Sequence, residues 1–390
     1  MISARPKLAT LESLRGLLAL WVLVAHVTVR VISESSISSM HARAPLEPLL
    51  PVYVFMILSG FVIFSLLQRG DESYGVFILR RFFRLAPLFL LVLLVAASLQ
   101  SFELRTLDHL FWRNGHISDS IRIHRDTLAH FWPHVWAHAT LLHGLVPDTL
   151  LRDTNFSILS QGWSISLEWQ FYLLAPLIFL LISRRRYLGI GLLATIIAVL
   201  GAIHYPSIGF LPNQFAYFAL GIASFYLYRS CDWLARIPPR THDLLLPIVG
   251  LSLYALLRQP LPVLVWVLVF DAVLARHAGL ETPLTSRVNR LLEWPVLQWL
   301  GRISYSVYLV HITIMYAVFR AITYVNPHLG GLKFLVLALP ATLVLTLIVA
   351  AVTYRWIEVP GIALGRTLGN WLEQRPLRQQ DPAYPHHAGG

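Results

Sequence analysis

The sequence predicts an all-α membrane protein, a polytopic bundle of about ten transmembrane helices with one long outer loop. Three observations lead there. Of 390 residues, 56% are hydrophobic and only 13% charged, with a mean hydropathy of +0.62, outside the balance of soluble domains. Apolar runs of spanning length recur along the chain. Basic residues divide unevenly between the two sets of connecting segments. The single cysteine, Cys231, excludes an intramolecular disulfide framework and a multi-cysteine metal site. On such a chain a formal charge of +11 points to cytoplasmic loops and anionic lipid headgroups, not to nucleic acid.

The first run, 11–32, follows Arg5 and Lys7 and lacks a small-x-small cleavage site, so it is expected to remain as a signal anchor. It carries Arg15 and His26, eleven residues apart. Eleven steps make three turns plus about 20°, which puts both side chains on one face, roughly 16 Å apart along the axis. An arginine at the bilayer centre costs roughly 2.5–3.5 kcal/mol. Either Arg15 snorkels to headgroups and His26 is a neutral core histidine, or the two line a cavity.

The second run, 51–68, contains Ser59-Gly60-Phe61, which permits close backbone approach. The third, 85–102, is preceded by FILRRFFRLAP, with Pro87 near its start. Arg80 and Arg84 share a face by i,i+4 spacing, with Arg81 about 100° away. Clustered guanidiniums suit phosphates, which they grip bidentately, and equally suit an anionic lipid surface.

The long loop, 103–162, holds Trp112, Trp132, Trp136 and seven histidines. Within it, 130–147 reads as interfacial or re-entrant; the alternative, an eleventh span, would put Arg184, Arg185 and Arg186 outside. His130, His134 and His138 repeat every fourth residue, but no carboxylate or cysteine completes a site, and no metal is expected.

The fourth run, 163–183, starts QGWSISLEWQFYLLAP. Glu168 lies about one turn inside it and shares a face with Ser164; a carboxylate there can orient an imidazole or simply meet water. Runs at 187–204 and 212–229 follow, then 243–258 and 260–276, separated by Arg258 and Gln259 as a helical hairpin. The run 303–324 carries Ser304, Tyr308 and His311 at i, i+4, i+7, a polar stripe on one face. Interhelical hydrogen bonding accounts for the Ser and Tyr; His311 is ionisable and deep in the span. The last run is 333–355. Residues 1–365 form one transmembrane domain, and 366–390 read as a polar, disordered tail.

Placing the N-terminus inside puts twenty of the 31 basic residues in inner segments and ten in outer ones, with Arg15 inside the first span. The bias sets both termini in the cytoplasm. Phosphate loops, dinucleotide fingerprints, HExxH and GxSxG are absent from the sequence, and it shows no internal repeat.

Six segments in order carry a resemblance: LESLRGLLALWVLVAHV, ILSGF, RRFFRLAP, WSISLEWQFYLLAPL, GRISYSVYLVH and YRWIEVP. Over most of residues 8–365 the chain resembles the membrane-bound acyltransferase-3 family, bacterial inner-membrane O-acyltransferases that modify extracytoplasmic glycans. The resemblance implies transfer of an acyl group, acetyl most commonly, from cytoplasmic acyl-CoA to a hydroxyl of a glycan or glycolipid acceptor. Arg80, Arg81 and Arg84 would hold coenzyme A phosphates, and Ser304, Tyr308 and His311 are grouped with them as cofactor-binding. His26 would be the catalytic histidine, with general base its natural role and a transient acyl-histidine the variant. Glu168 would orient His26, and Arg15 would hold the donor or stabilise developing charge. Some relatives carry an esterase-like domain after the last helix; this sequence runs about 30 residues further, so the acceptor is expected to meet its outer loop or a partner. Gly361 also stands where relatives often have a bulkier residue.

Two other classes fit the same residues. A permease would line a solute path with Arg15, His26 and Glu168, and a purely structural role would leave each of them replaceable.

Overall fold

The computed structural model describes residues 9–32, 46–70, 72–203, 207–230 and 260–378. All its regular elements are helical. In order they are α1 (Ala9–Val31), α2 (Leu49–Leu67), α3 (Tyr74–Asp108), α4 (Gly115–Ala129), α5 (Phe131–Ala139), α6 (Trp163–Ser183), α7 (Tyr187–Ala202) and α8 (Leu211–Arg229). Then come α9 (Pro260–Ala278), α10 (Pro283–Leu292), α11 (Pro295–Val325), α12 (Gly331–Thr353), a π-helical turn (Tyr354–Glu358) and α13 (Val359–Arg378).

Nine of the ten expected spans coincide with helices; the tenth, 243–258, lies outside the described residues. Among the described residues, seven helices are long and apolar enough to cross a membrane. The 16-residue α7 covers only about 24 Å, short of a hydrocarbon core of about 30 Å. The nine-residue α5 is shorter still and does not span.

Lipid supplies little hydrophobic drive between helices, so small residues set where backbones meet. Gly16 of α1 faces Gly301 of α11: a Cβ on Gly16 would stand 2.7 Å from the Gly301 amide nitrogen. The two helices run parallel, and His26 meets His311 ten residues further along both. On the other side Gly60 of α2 and Gly221 of α8 bring those backbones together, with Phe61 and Phe64 filling the contact.

The far end of α1 is tied down from the loop. Asn114 caps α4 by accepting from the Ile117 amide at 2.9 Å. Its Nδ2 donates to the carbonyls of Val29, Arg30 and Ile32, which the helix end leaves without intrahelical partners. Trp112 Nε1 adds a 2.8 Å bond to the Arg30 carbonyl.

The connection from 140 to 162 tucks back into the bundle. Leu141, His143, Ile158, Leu159 and Gln161 are buried, and Gln161 Nε2 donates to the Leu309 carbonyl at 2.7 Å. Consequently α6 begins deeper than α1 and α11 end.

The helix α3 runs unbroken from Tyr74, so the basic segment before the expected span 85–102 is part of the same helix and Pro87 sits inside it. Proline has no N–H to give, and the Phe83 carbonyl loses its usual partner. Gly361 of α13 packs there, where a Cβ would stand 3.0 Å from Phe83 O and from Pro87 Cγ. Gly365 and Gly369 continue the contact toward Arg80. This stripe explains why the chain stays helical to Arg378, through half of the segment expected to be a disordered tail. Residues 379–390 lie outside the described part.

Candidate active site

A cavity of about 120 Å³ opens between α1, α2, α3, α6 and α11. Its lining includes Arg15, Arg81 and Arg84 on one side and Val52, Phe55, Ser164 and Tyr308 on the other. Arg84 pairs with the fully buried Glu358, whose other oxygen accepts from Ser306 at 2.7 Å. The Arg84 guanidinium also lies over the Tyr305 ring at 5.5 Å. Arg15 and Arg81 make no hydrogen bond or ion pair among the described residues, and Arg81 Nε is buried without an acceptor. Three guanidiniums line this cavity against one carboxylate, Glu168, so its polar end carries an excess of positive charge suited to an anion.

Glu168 accepts hydrogen bonds from Tyr172 and, at 3.5 Å, from Ser59. The Tyr308 and Ser164 hydroxyls bond to one another at 2.7 Å, and both reach the Gln161 carbonyl. One turn beyond Tyr308 lies the histidine pair. His311 Nε2 meets His26 Nδ1 at 3.2 Å, with ring centroids 5.1 Å apart. His26 Nδ1 also contacts the Val22 carbonyl at 3.0 Å. The His26 carbonyl accepts from Arg30 Nη1 at 3.3 Å, and the buried Arg30 lies over Tyr316.

The structure therefore divides the predicted set. Arg15, Arg81, Arg84, Glu168, Ser304 and Tyr308 share the cavity; His26 and His311 sit together beyond Tyr308. Arg81 and Arg84, three residues apart, are the cavity pair, not Arg80 and Arg84. Arg80 turns to the surface, where Glu72 at 2.5 Å, Asn370 at 2.8 Å and Glu373 at 3.5 Å hold it beside Arg69 in an open groove of about 460 Å³.

Glu168 does not orient His26. Ser164 is level with Tyr308, which lies three residues before His311; Glu168 is four residues further the other way. That separates it from the histidine pair by roughly 10 Å along the bundle axis. The physical reason is the recessed start of α6. The partner of His26 is His311, which the sequence reading grouped with the cofactor. Of the Arg84–Glu358–Ser306 chain, the sequence showed Arg84 in its cluster and Glu358 in YRWIEVP, but nothing that joined them.

The histidine repeat in the loop does not converge. His134 Nδ1 bonds Ser157 Oγ at 2.8 Å, His138 stacks on His143 at 4.1 Å, and His130 is exposed beside Asp126. Burial pushes His138 down to about 4, and lowers His134 and His143 from the ordinary imidazole value. Among the described residues no group of three or more His, Cys, Asp or Glu is arranged to hold a metal ion.

Proteins of Staphylococcus aureus strains COL, MSSA476 and MRSA252 named "Putative O-acetyltransferase" are each 24% identical over 357 residues, covering 83% of this chain and 54% of their own. The chain thus spans about half the length of the curated relatives it matches. No solved structure matches it. The family model described as "Acyltransferase domain" (Acyl_transf_3) matches residues 8–355, nearly the whole helical bundle, and the chain belongs to that family of integral membrane acyltransferase domains.

Proposed function

We propose that this bundle moves an acyl group, acetyl in the first instance, from acyl-CoA entering at the Arg15 end to a hydroxyl of a glycan or glycolipid at the His26 end. The observation that carries it is the cavity in which Arg15 and Arg81 have no hydrogen-bonded carboxylate, with a histidine pair one turn past Tyr308 of its lining. The basic residues favour a cytoplasmic Arg15 end, and the family resemblance favours the bacterial inner membrane.

Pockets for drug-sized ligands measure about 300–1,000 Å³. At about 120 Å³ the cavity suits the narrow acyl-pantetheine arm. The nucleotide stays in the open groove beside Arg69 and Arg80. Arg15, Arg81 and Arg84 attract the donor's negative charge, and Glu168, held by Tyr172 and Ser59, offsets part of the repulsion among the guanidiniums.

In the transfer, His26 takes the proton of the acceptor hydroxyl as its oxygen bonds to the thioester carbonyl carbon. The carbon–sulfur bond breaks, and the proton passes from the imidazole to the departing thiolate. The products are an O-acyl ester and free coenzyme A, with no net charge change.

Protein in liposomes supplied with acetyl-CoA and bacterial envelope glycans is expected to release free coenzyme A and acylate the glycan, and His26→Ala to stop both. Solute flux without coenzyme A release would overturn this reading in favour of a permease.

A further inference from the structure

The hydrogen bonds around His26 determine which of its nitrogens is the base. A backbone carbonyl only accepts. His311 Nδ1 lies 2.7 Å from the Tyr308 carbonyl, so that nitrogen carries the proton and Nε2 carries a lone pair. His26 Nδ1 lies 3.0 Å from the Val22 carbonyl, so it too carries a proton. That N–H is shared with the His311 Nε2 lone pair at 3.2 Å. One nitrogen remains: His26 Nε2, which makes no hydrogen bond among the described residues.

We propose that His311 is a positioning residue, whose Nε2 lone pair holds the His26 Nδ1–H and so leaves His26 Nε2 as the base. Its catalytic consequence rests on the acyl-transfer reading; the tautomer assignment does not. A neutral imidazole here fills the place a carboxylate holds in an Asp–His pair. No carboxylate contacts either ring among the described residues. When His26 Nε2 takes the acceptor's proton, Nδ1–H becomes a stronger donor to His311, and the charge spreads over two rings. The proton then leaves from Nε2 to the thiolate, and His311 never gives up its own, which stays on Nδ1 against Tyr308 O.

This separates His311 from a cofactor-binding role. The test compares His311→Gln, whose side-chain carbonyl restores an acceptor, with His311→Leu, which does not. Expected for Leu is a fall in kcat on the order of 10²-fold, the usual scale for lost acid–base function, with KM for acetyl-CoA little changed. Gln should recover most of that loss. A raised KM with kcat intact, or equal losses in both variants, would overturn the proposal.

A second readout is independent of turnover and of the stability of either variant. In ¹⁵N-histidine-labelled wild type, His26 Nδ1 should give a pyrrole-type shift and Nε2 a pyridine-type one. The reverse assignment would sink the proposal. If the wild type turns over no acyl donor, the acyl-transfer reading fails while the NMR result still decides the tautomer.

Discussion

Gly16 lies against Gly301 at the same 285-residue offset that separates His26 from His311. The parallel contact between α1 and α11 is thus one register held over ten residues, roughly 15 Å. A Cβ at Gly301 would meet the Glu12 backbone, which has no freedom to rotate away. Gly301→Ala is expected to cost about 1–3 kcal/mol, as overpacking does, and to separate the imidazoles. Thermal melting should show the first effect, and a larger loss of kcat than of donor affinity the second.

Arg80 and Arg81 are neighbours with different jobs. Two carboxylates already pair with Arg80, while none among the described residues is within ion-pair distance of Arg81. Arg81→Gln should weaken acyl-CoA binding about tenfold or more, since one charge-assisted hydrogen bond is worth about 1.5–3 kcal/mol. Arg80→Gln should weaken it severalfold at most. Titration calorimetry of the protein in nanodiscs measures both, and equal effects would contradict the division.

The buried Glu358 makes a different prediction. Glu358→Gln keeps an acceptor for Ser306 but leaves Arg84 unbalanced inside the bundle. Breaking a buried pair from one side costs about 3–5 kcal/mol. The double variant Arg84→Gln/Glu358→Gln should regain much of the melting temperature without regaining donor binding.

Acid should loosen the histidine-rich loop. In the folded protein His138 titrates at about 4, against 6.5 when unfolded. Between those values the unfolded state binds more protons, so stability is complete above 6.5 and is lost as pH falls toward 4. From pH 7 to pH 5 this one group accounts for about 2 kcal/mol. His138→Phe, which keeps the stack on His143, should flatten the pH dependence of melting.

Helix positions were readable because apolar runs and their charged borders are local signals. Arg15 and His26 were readable for the same reason: polar groups in lipid stand out. What escaped was set by depth. The recessed start of α6 follows from the way 140–162 folds inward, and that depends on distant partners such as Leu309, Gln100 and Ser207. A carboxylate one turn inside α6 therefore landed roughly two turns below His26. Arg80, Arg81 and Arg84 were visible as a cluster, but only α13, seated on Gly361 and Gly365, decides which of them faces inward.

The thin layer at Tyr308, Ser164 and Gln161 has a consequence for the membrane itself. A bundle with polar groups aligned from one end to the other is in danger of leaking ions and dissipating the gradient it sits in. Here the layer between the cavity and the histidine pair is one helical turn thick and holds two hydroxyls bonded to each other and to a carbonyl. The acyl arm of the proposed donor would have to part this layer and let it reseal behind. Paired hydroxyls can relay protons between themselves, so what such a layer resists is the passage of hydrated ions.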